Sequence, residues 1–354
     1  MLQKLIVSGI AMSLINSAVA QDSVKTSSLT ISGSTDLYYK YDFGKSKGNN
    51  LTSFTNSHNS FELGMASAKL DYKMSKVQMV ADIGVGKRAQ EFSYNDEGIL
   101  ASIKQLFISY APASNLKFTA GSFATHVGYE LVDPQFNRNY SMSYMFTNGP
   151  FFHTGLKADL TFGTSGFMIG LANPTDYKYV PDGQMNSKTL LAQYSFAPSD
   201  RFKAYVNYVG GKSIDTSESD QFDIVLTSKL SNKFSLGYNG TVNRTKVYLG
   251  DKLFAETKSW WGSALYVNFD PSSTFGLTLR EEYFNDDNQL KVYSSQLKGG
   301  SVLATTLSAN IRTSNLIFIP EVRFDKASEA IFTNANGESK KLSANILFAA
   351  IYQF

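Results

Sequence analysis

Cysteine is absent from the 354 residues, which excludes disulfide staples, thiolate metal sites and cysteine nucleophiles together. Histidine is scarce. His58, His126 and His153 are the full complement, and no spacing among them matches a metal-ligand motif, so neither a metal nor a cofactor is expected. A charge excess of one sign is missing too: 33 Lys and Arg stand against 30 Asp and Glu, a formal net charge of +3 to which Lys4 contributes one unit. No stretch gathers the basic residues into a patch, so a pI near 8.7 supports no nucleic-acid or polyanion partner. Past residue 20 there is no run of 18 apolar residues, hence no helix to span a bilayer. Nor does a linker divide the chain, although a soluble protein of this length would be expected to form two domains.

What is present is aromatic and alternating. Phe 26 and Tyr 20, within a hydrophobic fraction of 43%, are spread over short runs punctuated by glycine and proline. The last run is the most informative: Leu342, Ile346, Phe348, Tyr352 and Phe354 share one parity, while Ser343, Asn345 and Gln353 share the other. Such a strand buries one face in an apolar medium and leaves the other wet. Its aromatic end, Tyr352 and Phe354, resembles the C-terminal signal that outer-membrane β-barrels offer to their assembly machinery. Export should accompany that signal, and the N-terminus has the pattern: Lys4, an apolar run over 5–15, and Ala18-Val19-Ala20 before Gln21. Residues 1–20 are therefore expected to be a cleaved signal peptide, 21–28 a short periplasmic segment and 29–354 one β domain. Without disulfides, a barrel closed on itself gains stability by leaving no strand edge.

Alternating segments lie at 29–43, 59–73, 76–87, 103–111, 115–127, 151–163, 165–173, 188–197, 200–211, 219–230, 232–246, 257–270, 273–284, 301–313, 315–325 and 340–354. That makes 16, most of them reaching the roughly 9 to 11 residues a tilted strand needs to cross a bilayer. Tight turns such as Met74-Ser75, Thr164, Pro198-Ser199, Pro271-Ser272 and Ser314 alternate with long polar segments such as 44–58 and 285–300. Short periplasmic turns and long outer loops show this asymmetry in outer-membrane barrels.

Parity also assigns faces. Phe222, Ile224 and Leu226 oppose Gln221, Asp223 and Thr227; Leu156, Ala158 and Leu160 oppose His153, Lys157 and Asp159; Ala81 and Ile83 oppose Asp82. A lipid-facing charge costs about 2 to 4 kcal/mol at mid-membrane, so the charged sets are expected in the lumen. Two positions strain the pattern. Pro320 lies inside the segment 315–325 and predicts a bulge or a broken strand. Glu281 falls on the apolar parity of 273–284, which is tolerable at the outer rim and otherwise speaks against the register.

Three blocks resemble the OmpL-like β-barrel porins of Bacteroidota: residues 56–66 (NSHNSFELGMA), 123–158 (FATHVGYELVDPQFNRNYSMSYMFTNGPFFHTGLKA) and 166–176 (GFMIGLANPTD). The resemblance implies an outer-membrane barrel that passes small solutes, and it brings no set of functional residues to carry over.

Within that frame the longest connection, 128–150, is the third outer loop, and a structureless insertion of this length is usually functional or disordered. In general porins the third outer loop folds inward and narrows the pore. This one has the aromatics Tyr129, Phe136, Tyr140, Tyr144 and Phe146 to pack against a wall, and Glu130, Asp133 and Arg138 to line an eyelet. Arg280, Glu282, Arg312, Glu321 and Arg323 have lumen parity. They either face the loop charges across the pore and set up a transverse field, or pair with one another between adjacent strands and rigidify the barrel. Enzymatic readings are weak, because His58-Asn59-Ser60 places neighbours on opposite faces of a strand and lacks an orienting third group. His126 and His153 flank the long loop and read as satisfied polar residues of the wall. Gly210-Gly211-Lys212-Ser213 lacks the leading glycine of a phosphate loop, Val206 standing there instead. Trp260-Trp261 fits an interfacial girdle, with one of the pair free to face the lumen.

The expectation is an all-β, transmembrane, antiparallel up-and-down β-barrel of about 16 strands. It is a non-enzymatic porin passing small hydrophilic solutes through a water-filled lumen. Its partners are outer-membrane lipid and lipopolysaccharide, the barrel-assembly machinery and a homotrimer of the chain, with no nucleic acid. The alternatives are an occluded structural or adhesive barrel whose outer loops bind a partner, and a substrate-specific channel.

Overall fold

The computed structural model describes residues 27–184, 187–214, 217–249 and 253–354. The expected signal peptide and most of the 21–28 segment lie outside the described residues. Sixteen antiparallel strands close into one barrel. In chain order they are β1 (Ser27–Asp42), β2 (Ser60–Met74), β3 (Val77–Val85), β4 (Ile103–Ala113), β5 (Leu116–Ala124), β6 (Phe152–Phe162), β7 (Ser165–Ala172) and β8 (Thr189–Ser199). There follow β9 (Phe202–Lys212), β10 (Glu218–Lys229), β11 (Phe234–Leu249), β12 (Leu253–Phe269), β13 (Phe275–Asp286), β14 (Gly300–Thr313), β15 (Leu316–Ala327) and the C-terminal strand Leu342–Gln353. Each of the sixteen alternating sequence segments is one of these strands.

The outer connections differ from the expectation at two places. β11 and β12 run 16 and 17 residues, so most of their predicted loop is strand extending past the bilayer. Between β9 and β10 the chain makes a hairpin closed by Ser213 N–H on the Ser217 carbonyl (2.8 Å). Gly210-Gly211-Lys212-Ser213 thus belongs to a strand end. On the opposite rim, tight turns place Ser75, Gly163 and Ser314 in the left-handed region (φ 55°, 53° and 49°), the backbone that two-residue hairpins require.

Closure joins β1 to the C-terminal strand, from Ser34 opposite Gln353 to Asp42 opposite Asn345. Past the strand's end, Gly33 and Phe354 exchange both backbone hydrogen bonds at 3.0 Å. A Cβ on Gly33 would collide with the Ser67 carbonyl oxygen and lie 2.7 Å from the Phe354 ring. Glycine at this position leaves room for the Phe354 ring beside the seam.

Alternation is enforced around the whole barrel. Leu37, Phe222, Leu265, Ile346 and Phe348 are exposed toward lipid, while Asp36, Asp223, Tyr266, Asn345 and Leu347 point inward and are buried. Trp261 faces out beside Tyr283 (ring centroids 5.2 Å) and Trp260 faces in against Phe284 (5.3 Å). Glu281 is half-buried on the outer face of the barrel and accepts from Thr305 Oγ1 at 2.7 Å; its ladder partners Leu265 and Thr305 keep the strand in continuous register. Pro320 causes neither a bulge nor a break. β15 pairs with the C-terminal strand without interruption, and on the β14 side the register resumes unchanged between Ser308–Glu321 and Ile311–Phe318. Proline has no N–H to give there, so rungs are missing but the strand continues.

Candidate functional site

Between β5 and β6 the chain leaves the rim and enters the barrel. Irregular backbone inside a membrane protein is tolerated only where protein or water satisfies its polar groups. The wall of β13 to β15 does so residue by residue. Glu282 accepts the backbone N–H groups of Tyr144 and Met145 (both 2.9 Å), at the start of a five-residue helix, Tyr144–Asn148, whose N-cap Ser143 accepts from Phe146 N–H. Glu321 accepts from Tyr140 N–H (2.9 Å) and Ser141 N–H (3.3 Å). Arg280 donates to the Ser141 carbonyl (2.7 Å), Arg323 to the Met142 carbonyl (2.8 Å) and Asn310 to the Arg138 carbonyl (2.8 Å).

Side chains of the loop complete the attachment. Glu130 meets Arg280 at 2.5 Å, takes Tyr266 O–H on the same oxygen, and takes Ser143 N–H on the other. Tyr140 O–H donates to Asp36 and Tyr144 O–H to Asp325. Burial pushes both phenols well above their ordinary range, so they remain donors. Arg138 reaches Asp270 (2.5 Å), which Arg312 shares at 3.5 Å, and Arg323 also holds Asp325 (2.8 Å). From the other side the short helix Lys87–Phe92 of the second outer loop braces the third. Its Arg88 guanidinium lies between the Phe54 and Tyr140 rings (4.8 and 4.7 Å to the centroids) and donates to Val132 O. Lys104 ties Asp133 (2.5 Å) to Asp82 (3.1 Å).

This geometry corrects the expected transverse field. Glu130 and Arg280 do not face each other across water but touch, and Asp133 is held by Lys104 rather than by an arginine, while Arg312 and Arg323 pair with Asp270 and Asp325. Nor do the wall charges mainly pair with one another between neighbouring strands, since Arg280, Glu282, Glu321 and Arg323 each also bond the loop backbone. Asp82, Asp223, Lys157 and Asp159 do point inward. Asp223 accepts from Asn207, Asn239 and Gly128 N–H, and Lys157 lies 3.6 Å from Asp159. Sequence reasoning missed Asp36, Arg88, Lys104 and Asn310. Lumen parity was the signal available for Asp36 and Asn310, whereas Arg88 sits in a loop where parity has no meaning.

His126 and His153 come together, ring centroids 5.6 Å apart. His126 Nε2 is bound to the Tyr208 carbonyl and His153 Nε2 to Thr125 Oγ1. His58 Nδ1 accepts from Asp42 N–H and stands against Tyr41. Among the described residues no group of three or more His, Asp and Glu is placed to hold a metal.

The loop covers one wall and leaves space along the other. A cavity of about 540 Å³ lies on its inner side, lined by Lys69, Asp82, Gln105, Leu131 and Phe136 among others. A second, of about 510 Å³, opens on its outer side beside Tyr94, Asp176, Gln221 and Asn243. Phe92, Phe146 and Phe151 border the inner space and Asn148, Gly149 and Pro150 the outer, so the end of the third loop separates them.

The sequence matches the family model described as "Putative beta-barrel porin-2, OmpL-like" over residues 28–354. No curated protein matches it. In three dimensions the chain is similar to OmpT of Vibrio cholerae (TM-score 0.63, 8% identity, 94% of this chain and 99% of that one). It is also similar to an anion-selective porin from Comamonas acidovorans (0.63, 10%, 93% and 100%) and to the outer-membrane channel DcaP of Acinetobacter baumannii (0.63, 12%, 95% and 100%). At such identities the likeness is one of fold.

Proposed function

The chain belongs to the OmpL-like β-barrel porin family, and on that premise we propose that it is a passive diffusion channel of the outer membrane for small hydrophilic solutes, narrowed by its third loop. The carrying observation is the division of the lumen. A loop fastened to the β13–β15 wall leaves water-accessible cavities of hundreds of cubic ångströms on both sides of its end, and a barrel of 16 strands is wide enough for an aqueous path. Glu130, Asp133 and Arg138 act in this reading by seating the constriction rather than by exposing charge to the solute. The surrounding belt contacts phospholipid and lipopolysaccharide, Tyr352 and Phe354 present the assembly signal, and the working unit is a homotrimer. Chemistry is left to diffusion.

Single-channel recording of the purified, refolded protein tests this. Discrete steps on the order of a nanosiemens, the size expected of a porin-width lumen, support it. A second reading has its own observation: Phe54, Phe92, Phe146, Phe151 and Phe152 form one buried cluster between the outer loops, as a plug would. Silence from protein shown to be folded and inserted favours that occluded barrel, with function in the outer loops.

A further inference from the structure

Resting on the porin reading above, we propose that the inner, turn-side half of the lumen selects for small anions. The turn-side half of the wall from β2 through β10 brings Lys69, Lys73, Lys117, Lys157, Lys203 and Lys229 to the lumen on one side of the membrane. Their inward direction follows from the pairing: Lys69 lies opposite Asp82, Lys73 opposite Gln78, Lys117 opposite Asp159, Lys157 opposite Thr119, and Lys203 opposite Thr227. Lys229 continues the inward parity of Asp223 and Thr227. Four of them, Lys73, Lys117, Lys203 and Lys229, stand within a few residues of the tight turns, around the mouth.

Compensation is incomplete. Asp71 lies 4.0 Å from Lys73 and is already held by Gln78 at 2.8 Å. Asp159 is shared between Lys117 (3.8 Å) and Lys157 (3.6 Å). Lys69, Lys203 and Lys229 have no ion pair among the described residues. On the covered wall Asp270 is likewise shared by two cations, Arg138 and Arg312. The mouth therefore carries excess positive charge in a cleft with low-dielectric walls, where field lines are focused and counter-ions accumulate. A potential of about one kT, at the low end for such clefts, enriches chloride and depletes potassium by about threefold each. Ionic screening acts within about 10 Å at 0.1 M salt, so the preference is largest in dilute electrolyte.

The test is the zero-current potential of the full chain in a planar bilayer under a KCl gradient at low ionic strength. The expected sign is that of chloride passing faster than potassium, by about three- to tenfold. The triple variant Lys69→Glu, Lys203→Glu, Lys229→Glu is expected to reverse the sign while steps remain. Because the chain has no cysteine, Lys203→Cys gives a milder check. Coupling a sulfonate-bearing thiol reagent there should lower the chloride preference, and an ammonium-bearing one should preserve it. Conductance with no preference, or with a cation preference, overturns the anion assignment and leaves the porin standing. So does a triple variant whose selectivity is unchanged. A folded, inserted protein that conducts nothing overturns the porin reading and this inference with it.

Discussion

Replacing Arg280 by methionine probes what holds the third loop. Arg280 is fully buried, and its guanidinium is the only cation within ion-pair distance of Glu130 among the described residues. It also donates to the Ser141 carbonyl and to Thr306 Oγ1. Methionine fills much of the same volume but leaves the Glu130 carboxylate buried without a counter-charge. Breaking one side of a buried pair costs about 3 to 5 kcal/mol, which lowers the ratio of seated to unseated loop by about two orders of magnitude or more. The ladder of the barrel is untouched, so Arg280→Met should assemble, conduct in larger and noisier steps, and expose the loop to protease. Adding Glu130→Gln should recover quiet steps, because a neutral amide can still accept from Ser143 N–H or Tyr266 O–H. An Arg280→Met channel with normal conductance, noise and protease resistance, in protein shown to be folded, would refute the claim that the wall charges seat the loop. So would a double variant no better than the single one, since coupled partners must show a non-additive cycle.

Other outcomes follow from the same geometry. Deleting residues 137–148 should raise single-channel conductance, and an unchanged value would remove the loop from the constriction. Gly33→Leu and removal of Phe354 should each slow membrane insertion, measured as the rate of appearance of the heat-modifiable folded band, because both disturb the closing pair of hydrogen bonds; normal rates would mean that the seam tolerates their loss. In the fourth outer loop, burial pushes the Asp176 carboxyl up to about 6 against its donors Phe151 N–H, Phe152 N–H and Tyr94 O–H and the nearby Lys291. The folded state then binds a proton that the unfolded one releases near 3.9. The contribution is fully present below about pH 4 and is lost as pH rises through 6, by about 3 kcal/mol. Hydrogen exchange of the Phe151 and Phe152 amides should show this decline, and Asp176→Asn should flatten it.

Strand number, order and facing were legible in the sequence because they follow from a period-two pattern that lipid enforces one residue at a time: a misplaced charge on the outer face is costly wherever it falls. Phe222 and Asp223, or Ile346 and Asn345, announce their sides without any partner. The inward course of the third loop was legible only as length and aromatic content. Its attachment was not, since Glu282 meets Tyr144, and Glu321 meets Tyr140, across well over a hundred residues, and nothing local in either segment names the other. The same holds for the lysines. Read along the chain, Lys69, Lys117, Lys157, Lys203 and Lys229 are scattered and form no patch, yet hairpin after hairpin returns them to one side of the membrane. Local alternation thus determined the barrel, because each residue's choice of lipid or water is made independently. Closure alone decided which charges stand together, because a ring of strands converts separation in sequence into adjacency around the lumen.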